Sequence, residues 1–368
     1  MRVARGEGIG SVARRAADRI EEGARLQWRL VRGLFTRGGR AQLLNVLATP
    51  PSSRLGGLQI QLLARLREEH AMREVALLHP GVLEIASTAW RSPSFGIPLE
   101  SAIANGLERT GARGIVIEGM AGFDAASLLR FENVILSLHD LSLLDDPGAQ
   151  KLMNHARAAI FPSAFLRDRH RAQLDLSQVA THVIEPGVRG RSIARSGARR
   201  AIAYAGSVKR HKGGHLLPEI IASMPLAVWH LFGGGDEELL RPLHDLPGVT
   251  VHGYYRDGTL PSLLARHDIG LALLPSIVPE SYSLTLSECW RAGVPAVTFD
   301  HGAHAERIAR DGGGWLVPRA EGAAGFAAIV RRWLAGEITT NVPTNIATPH
   351  YAAAAHLAVY RELGLLES

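Results

Sequence analysis

The sequence predicts an α/β protein with two doubly wound parallel-sheet domains, preceded by a basic amphipathic helix. From residue 43 onward, short and nearly continuous apolar runs alternate with helical patterns, as in parallel sheets covered on both faces. The alternation comes in two blocks, and the Gly-, Arg- and Ser-rich segment Glu185–Arg200 between them is typical of a linker. A length of 368 residues also suits two domains.

Residues 1–40 are predicted to be a basic helical extension. They hold ten Arg and four acidic residues, whereas the remaining 328 residues hold 31 basic and 31 acidic groups. Because the body has no surplus positive charge, we expect no nucleic-acid partner. Apolar residues spaced three and four apart, Trp28 and Phe35 among them, predict an amphipathic helix over residues 9–35. Two interpretations stay open: the helix lies on an anionic membrane, or it packs on the domain or on a partner chain.

The first block, residues 41–187, predicts an N-terminal Rossmann-like domain. The second block, residues 188–349, predicts a C-terminal one, and the final helix at 350–368 is expected to cross back onto the first domain. Two such halves place a cleft between the carboxyl ends of their sheets. The predicted strands are Leu43–Ala48, Val75–Leu78, Gly114–Ile117, Val134–Leu138, Ala158–Phe161 and Thr181–Ile184, then Ala201–Tyr204, Ala227–Phe232, Val249–His252, Ile269–Leu274, Ala296–Phe299 and Gly314–Val317.

Several classes of protein and site are disfavoured. A lone Cys289 forms neither an internal disulfide nor a Cys-based zinc site. No run approaches the roughly 18 apolar residues of a membrane span, and no signal-peptide core is present. We therefore expect a cytoplasmic protein, peripheral on the inner face of the plasma membrane if its helix binds lipid. Signatures of P-loop, zincin and serine-hydrolase sites are absent. The pairs His211/His215 and His301/His304 lack a carboxylate pattern, so no metal site is predicted.

The most informative stretch is PESYSLTLSECWRAGVPAV, residues 279–297. Glu280 follows a strand, and Glu288 lies eight residues later inside the next helix. Residues Ser281–Leu284 are predicted to form the first helical turn, whose unpaired N–H groups attract an anion. The two carboxylates could then bracket a phosphorylated, hydroxyl-rich ligand. The alternative is a capping glutamate and an unrelated surface acid.

A basic loop, YAGSVKRHKGG at residues 204–214, follows another strand. It contains Lys209 and Lys212, two of only three Lys in a chain with 38 Arg. A retained Lys suggests that a compact point charge is wanted, as at a phosphate. The alternative is a solvated basic turn.

Two glycine loops and one histidine complete the candidates. Gly56 and Gly57 lie between the first strand and the first helix, where a backbone can approach a ligand closely. Gly233 begins the run GGG after a strand, without the third glycine position of a dinucleotide fingerprint. His139 closes a strand and could donate a hydrogen bond to a substrate, with Asp140 orienting it. A purely structural role for this histidine is the alternative.

Taken together, these motifs resemble glycosyltransferase family 4, whose members have the GT-B fold and retain anomeric configuration. The matching pieces are the Gly56–Gly57 loop, LSLHD, YAGSVKRHKGG, HLFGGG, HGYY, ARHDIGLALLPS, PESYSLTLSE, AGVPAV, HGAHAERI and GGGWLVP. The match is nearly continuous from about residue 200 to 320, falls on isolated points of the N-terminal half, and does not include residues 1–40. ESYSLTLSE looks most like enzymes of bacterial surface-polysaccharide assembly.

The resemblance implies a role for each matching residue. Glu280 would hold the hydroxyls of the transferred sugar, Glu288 the ribose hydroxyls, and Lys212 would neutralise the diphosphate. His139 would contact the sugar near the reacting carbon and is, with Glu280 and Lys212, a catalytic candidate. The other donor-binding candidates are Gly56, Gly57, Ser207, Lys209, Arg210, Gly233, Ser281, Tyr282, Ser283 and Leu284.

One departure concerns the diphosphate. The family often has Arg directly after the glycine that matches Gly206, and this chain has Ser207 there. Lys209 or Arg210 is the expected substitute.

The implied function is the transfer of a hexosyl unit from a nucleoside-diphosphate sugar to a glycan or lipid-linked acceptor of surface polysaccharide. No metal is expected to be required. No other cofactor is expected either, since the nucleotide sugar is a co-substrate. Two alternatives stay open: a non-catalytic binding or scaffold protein with the same fold, and a sugar-nucleotide epimerase.

Overall fold

The computed structural model describes residues 24–32, 40–48, 62, 64–69, 74–80, 82–85, 88–91, 98–193 and 200–367. By its contacts the chain divides into two units. The C-terminal unit comprises Val188–Ile346, and the N-terminal unit comprises the described residues up to Gly187 together with those from Ala347 onward. These divisions lie beside the predicted boundaries at 187 and 349.

The N-terminal unit is built on an eight-stranded sheet in the order β4-β3-β2-β1-β5-β6-β7-β8. Six of its strands are parallel, and all of these except the edge strand β8 are buried along their length, as predicted for a sheet covered on both faces. The strands are β1 (Leu43–Val46), β2 (Val75–His79), β3 (Val82–Ile85), β4 (Thr88–Arg91), β5 (Gly114–Glu118), β6 (Val134–Ser137), β7 (Ala158–Phe161) and β8 (Ala180–Val183).

Strands β3 and β4 correct the prediction of a purely parallel sheet. Both are antiparallel to their neighbours, in register pairs such as Leu78 with Leu83 and Leu83 with Trp90. Antiparallel strands need only a tight turn and no crossover helix. The segment between β2 and β4 is therefore too short to show the strand–helix alternation on which the prediction relied.

The C-terminal unit has a six-stranded, wholly parallel sheet in the order β11-β10-β9-β12-β13-β14. The prediction of two doubly wound α/β domains is thus confirmed for the fold. The strands are β9 (Ala201–Ala205), β10 (Trp229–Phe232), β11 (Val249–Gly253), β12 (Ile269–Leu274), β13 (Ala296–Phe299) and β14 (Gly314–Val317).

The helices alternate with these strands. The described residues 24–32 and 64–69 are helical and are called α1 and α2. The others are α3 (Leu99–Thr110), α4 (Ala125–Leu128), α5 (Ala149–His155), α6 (Ala164–Arg171), α7 (Leu217–Ala222), α8 (Glu237–His244), α9 (Leu260–Arg266), α10 (Leu284–Arg291), α11 (Gly302–Asp311), α12 (Gly322–Leu334) and α13 (Pro349–Glu362).

The last helix, α13, belongs to the N-terminal unit. Its Leu357, Val359 and Tyr360 are buried in one apolar cluster with Leu43 of β1 and Val116 of β5. Burying this face removes apolar surface from water, the main favourable term in folding. The chain thus closes its first unit with its last helix.

The remainder of the predicted helix over residues 9–35 lies outside the described residues. Within α1, Arg29 forms an ion pair with Glu84 of β3, and the Trp28 side chain is 71% exposed. Among the residues that the structure describes, no helix is both long enough and apolar enough to span a membrane.

Candidate active site

Lys212 and Glu280, two of the predicted catalytic residues, are in contact in the C-terminal unit. The Lys212 ammonium donates a hydrogen bond to the Glu280 carboxylate. Lys212 ends the short 3-10 turn Arg210–Lys212 that follows β9, and Glu280 lies in the loop after β12. The Lys212 side chain is 36% exposed and that of Glu280 is 17% exposed. A ligand could therefore reach both charges.

Two glycines let the backbone bring these groups together. Gly213 has φ +77°, and a Cβ there would lie 1.9 Å from the carbonyl oxygen of Pro275. Gly302 has φ +70°, and its Cβ would lie 2.7 Å from the nitrogen of Glu280. The amide of Ala303 donates to the carbonyl of Glu280 at 2.9 Å. The loop carrying Glu280 is thus packed against two other segments, with no room for a side chain at either glycine.

Glu280 is held in its ionised form. Burial raises the pKa of this carboxyl, but the positive charge of Lys212 and its hydrogen bond outweigh the burial, so the net pKa is below its ordinary value. His304, which is also close to this carboxylate, is neutral at pH 7 because burial lowers its pKa to about 4. An ionised carboxylate only accepts hydrogen bonds, which suits a ligand rich in hydroxyls.

Glu288 lies inside α10, as predicted, and its side chain is buried. Burial, with the negative charge of Asp257 adding to it, raises the pKa of Glu288 to about 8. Burial also raises the pKa of Tyr255, with contributions from Glu288 and Tyr204. Tyr204 is in turn close enough to Glu280 for that charge to raise its pKa. Two tyrosines therefore link the surroundings of the two glutamates.

The start of α10 differs from the prediction. The helix begins at Leu284, and Ser283 is its N-cap, so Ser281–Ser283 is a loop that ends in a cap and only Leu284 of the predicted first turn is helical. Ser283 has φ +72°, in the left-handed region, and its hydroxyl accepts a hydrogen bond from the amide of Leu286 at 3.4 Å. The pattern of the residues did not reveal this conformation, because Ser suits a helical turn as well as a cap.

Arg307 is a supporting residue to which sequence reasoning gave no role. It is 1% exposed, and its guanidinium donates to the carbonyls of Tyr282 at 3.3 Å and Ser283 at 3.0 Å and to Ser287 Oγ at 2.8 Å. It also stacks over the Tyr282 ring at 4.1 Å. Arg307 thus fixes the loop between Glu280 and α10. An Arg within the matching motif HGAHAERI was the available signal.

The glycine loops after β9 and β10 are packed on each other. A Cβ on Gly233, whose φ is +134°, would lie 1.9 Å from the carbonyl oxygen of Gly206. The carbonyl of Ser207 accepts a hydrogen bond from the Tyr204 hydroxyl at 2.6 Å. Lys209 and Arg210 are exposed. The structure therefore fixes the backbone around Ser207, and the substitute for the absent Arg stays a prediction.

His139 follows β6 in the N-terminal unit, and its partner is not the predicted one. Nε2 of His139 lies 3.2 Å from Glu118 Oε2, whereas Asp140 accepts from the amide of Ser142. Burial alone would raise the pKa of Glu118, but the charge of Arg65 and the hydrogen bond from His139 lower it to about 2. The ionised Glu118 accepts a hydrogen bond from Nε2 and so orients the ring. Sequence reasoning missed Glu118 because it ends a different strand, β5.

A buried charge network surrounds this pair. Arg65 of α2 forms ion pairs with Glu69 and Glu118, and Asn45 donates to Glu69 at 2.9 Å. Burying such charges costs free energy unless they are paired and hydrogen-bonded. A pocket of about 380 Å³, counted out to open solvent, is lined by Arg65, His139 and His356.

The two predicted glycines Gly56 and Gly57 lie outside the described residues. All other candidates lie within them: His139 in the N-terminal unit, and Lys212, Glu280, Glu288 and the basic and glycine loops in the C-terminal unit.

Comparisons with known proteins give a family match in the C-terminal unit. Residues 199–336 match the model of the family "Glycosyl transferases group 1". No curated protein matches the chain significantly in sequence.

Several solved structures share the fold at low identity. Sucrose-phosphate synthase from Thermosynechococcus elongatus has a TM-score of 0.69 and 18% identity, over 88% of this chain and 99% of that one. HepE from Anabaena, solved in complex with UDP, has a TM-score of 0.64 and 17% identity, over 88% and 100%; it has also been solved with UDP-glucose. A glycosyltransferase from Rickettsia africae has a TM-score of 0.65 and 12% identity, over 88% and 98%.

The resemblance predicted from the motifs is therefore confirmed: the chain has the GT-B fold, and its residues 199–336 match the family model of group 1 glycosyl transferases.

Proposed function

We propose that this protein is a retaining glycosyltransferase that moves a hexosyl unit from a nucleoside-diphosphate sugar to an acceptor. The observation that carries the proposal is the contact between Lys212 and Glu280, inside the segment that matches the family model. A cation can neutralise the phosphates of such a donor, and a carboxylate beside it can accept hydrogen bonds from the sugar hydroxyls, so the two charges are complementary to the donor. The complexes of HepE with UDP and UDP-glucose support this donor class.

The proposed roles follow the chemistry of each side chain. Glu280 accepts hydrogen bonds from the hydroxyls of the transferred sugar, and Glu288 accepts them from the ribose. Lys212 neutralises the diphosphate, with Lys209 or Arg210 contributing. His139, oriented by Glu118, contacts the sugar near its reacting carbon.

The proposed reaction is a front-face substitution. The bond between the anomeric carbon and the diphosphate oxygen breaks, and the acceptor oxygen bonds to that carbon from the same face. The leaving diphosphate oxygen takes the acceptor proton. Stabilising the charge that develops on the leaving group is then the main contribution of the protein, and Lys212 is the residue for it. No carboxylate base on the opposite face is needed.

A screen for nucleotide release tests this proposal. The purified protein is incubated with UDP-, GDP-, ADP- and dTDP-sugars, with and without glycan and polyprenyl-linked acceptors. Release of nucleoside diphosphate that depends on acceptor, with product of retained configuration by NMR, is the expected result. Failure to bind any donor in calorimetry would favour a non-catalytic scaffold, and epimerised donor without nucleotide release would favour an epimerase.

We further propose that the acceptor is a glycan or lipid-linked intermediate of surface polysaccharide, and that the basic N-terminal helix attaches the enzyme to the inner face of the plasma membrane. In α1 the indole of Trp28 is 71% exposed, while Arg29 faces Glu84 of the sheet. An exposed aromatic ring on a basic helix suits the membrane interface.

Vesicle sedimentation tests the membrane proposal. The full chain should bind vesicles containing anionic lipid and lose binding as salt rises, and Trp28→Ala or removal of residues 1–40 should weaken binding severalfold. Leu226→Ala is the matched control, since this side chain is 98% exposed in the other unit. Undiminished binding without residues 1–40 would show that the helix is not the anchor.

A further inference from the structure

Three histidines gather in the C-terminal unit, and none of them is among the residues proposed to bind the donor. His230 lies in β10, His252 in β11, and His267 is the C-cap of α9. One ring nitrogen from each lies within 4.8 Å of those of the other two. The closest pair is Nδ1 of His230 and Nε2 of His252, at 2.8 Å. The proposed glycosyl transfer uses none of the three.

Regular structure holds these rings in place. Strands β10 and β11 are parallel neighbours, with His230 in register with Thr250 and His252 at the register shift between Val251 and Gly253. The amide of His267 donates to the carbonyl of Leu263 at 3.1 Å, which closes the end of α9. The fully buried Phe232 stacks on the His252 ring, with centroids 4.5 Å apart and planes 5° apart. A ligand therefore meets side chains that are already ordered, which lowers the entropic cost of binding.

We infer that His230, His252 and His267 form a binding site for a divalent first-row transition metal ion, represented by Zn²⁺. Neutral imidazole nitrogens are the donors that Zn²⁺, Cu²⁺ and Ni²⁺ favour. The group contains no carboxylate, whereas Mg²⁺ and Ca²⁺ require oxygen ligands. The chemistry of the three donors thus selects the class of ion.

The geometry is close to what a zinc ion needs. With Zn–N bonds of about 2.0–2.1 Å in a tetrahedron, three bound nitrogens lie roughly 3.3 Å apart. The nitrogens are separated by no more than 4.8 Å, so an ion would draw the wider pairs together by at most about 1.5 Å and open the 2.8 Å pair slightly. The three rings are half-buried, which leaves a side open for a water molecule as the fourth ligand.

The competing arrangement is a metal-free stack of rings joined by the hydrogen bond between His230 and His252. In that arrangement the cluster only packs the edge of the sheet. A bound ion would instead tie β11, at the edge of the sheet, to the end of α9. It would stabilise the C-terminal unit by mass action without taking part in the transfer reaction.

Metal titration of the full chain distinguishes the two arrangements. The protein is prepared without a polyhistidine tag, freed of metal with a chelator, and titrated with Co²⁺ by visible spectroscopy and with Zn²⁺ by calorimetry. We expect one equivalent of Co²⁺ to give the intense visible bands of a four-coordinate site with three nitrogen ligands. Zn²⁺ should displace the Co²⁺ and raise the melting temperature of the protein.

Single variants assign the ligands. His230→Gln, His252→Gln and His267→Gln should each weaken Zn²⁺ binding at least tenfold. His244→Gln, at an exposed histidine of α8, should bind as the wild type does. Absence of the Co²⁺ bands in the wild type, or Zn²⁺ affinity unchanged in all three variants, would overturn the inference. The wild-type spectrum decides the matter even if a variant fails to fold.

Discussion

The carboxylate of Glu118 determines how the His139 ring is held. It is buried and ionised, and it accepts a hydrogen bond from Nε2 at 3.2 Å, while Ser137 Oγ lies 3.3 Å from the same nitrogen. Among the described residues, Nδ1 has no hydrogen-bond partner. If His139 contacts the sugar as proposed, Glu118 is a positioning residue that acts through His139.

We predict that Glu118→Gln lowers kcat about tenfold or more and changes the KM for the donor less than about twofold, because orientation is lost and donor binding is kept. Steady-state kinetics in a double-mutant cycle with His139→Ala measure this. The loss caused by Glu118→Gln should vanish when His139 is already Ala. An equal loss in both backgrounds would mean that Glu118 acts elsewhere.

Glu288 should make the protein less stable as pH rises. Its pKa of about 8 in the folded protein exceeds the ordinary value of 4.5, so the folded protein holds a proton that the unfolded chain releases. This contribution is full below about pH 4.5 and declines as pH rises toward 8. Melting temperatures from pH 5.5 to 8.5 should fall less steeply in Glu288→Gln than in the wild type.

Donor binding should show the opposite dependence on pH. In the proposed role, the ionised carboxylate of Glu288 accepts hydrogen bonds from the ribose hydroxyls better than the protonated one does. The affinity of the wild type for nucleotide should therefore rise up to about pH 8, and that of Glu288→Gln should be weak at every pH. Glu219→Gln, at an exposed glutamate of α7, is the control. Parallel pH profiles for all three proteins would exclude Glu288 as the titrating group.

At the scale of elements, the site depends on loops packed without room for a side chain. Gly213→Ala would place a Cβ 1.9 Å from the carbonyl oxygen of Pro275 and separate the Lys212 turn from the Glu280 loop. We expect a loss of stability above about 2 kcal/mol and loss of transfer activity. Denaturant unfolding and a transfer assay measure the two effects.

Gly336→Ala is the matched control. This glycine has φ +76°, almost the same as Gly213, but a Cβ there meets nothing within 4 Å. It should lose only the roughly 1–2 kcal/mol of a left-handed residue and keep full activity. Equal losses in the two variants would show that the Pro275 contact does not matter.

The strands of the two parallel sheets could be predicted from the sequence, because a strand buried on both faces is a nearly continuous run of apolar residues. Strands such as Ile269–Leu274 and Ala296–Phe299 were predicted with their observed bounds. The β3–β4 pair was not predicted, because only two residues separate β3 from β2 and from β4, which leaves no room for the helix that the pattern requires between strands. The capped start of α10 was not predicted. Ser283 is in the left-handed region, and its carbonyl accepts a hydrogen bond from Arg307, which lies 24 positions further along the chain.

At the scale of the whole molecule, each unit is made from parts that the sequence separates. The N-terminal unit takes in α13 from the end of the chain, and the pairs Lys212–Glu280 and His139–Glu118 join residues 68 and 21 positions apart. Motifs could nominate Lys212, Glu280 and His139 because strand ends collect ligand-binding groups. They could not nominate Glu118, whose partner is decided by which strands are neighbours.

The central claim is that Lys212 and Glu280 act together on one nucleoside-diphosphate sugar. Transfer rates of Lys212→Ala and Glu280→Gln, measured with the donor found in the screen, test it most directly. Lys151→Ala and Glu219→Gln, both at exposed positions on helices, serve as controls. We predict a loss of roughly 100-fold or more in the first two variants, with unchanged folding and normal rates in the controls. Wild-type rates in both Lys212→Ala and Glu280→Gln would contradict it.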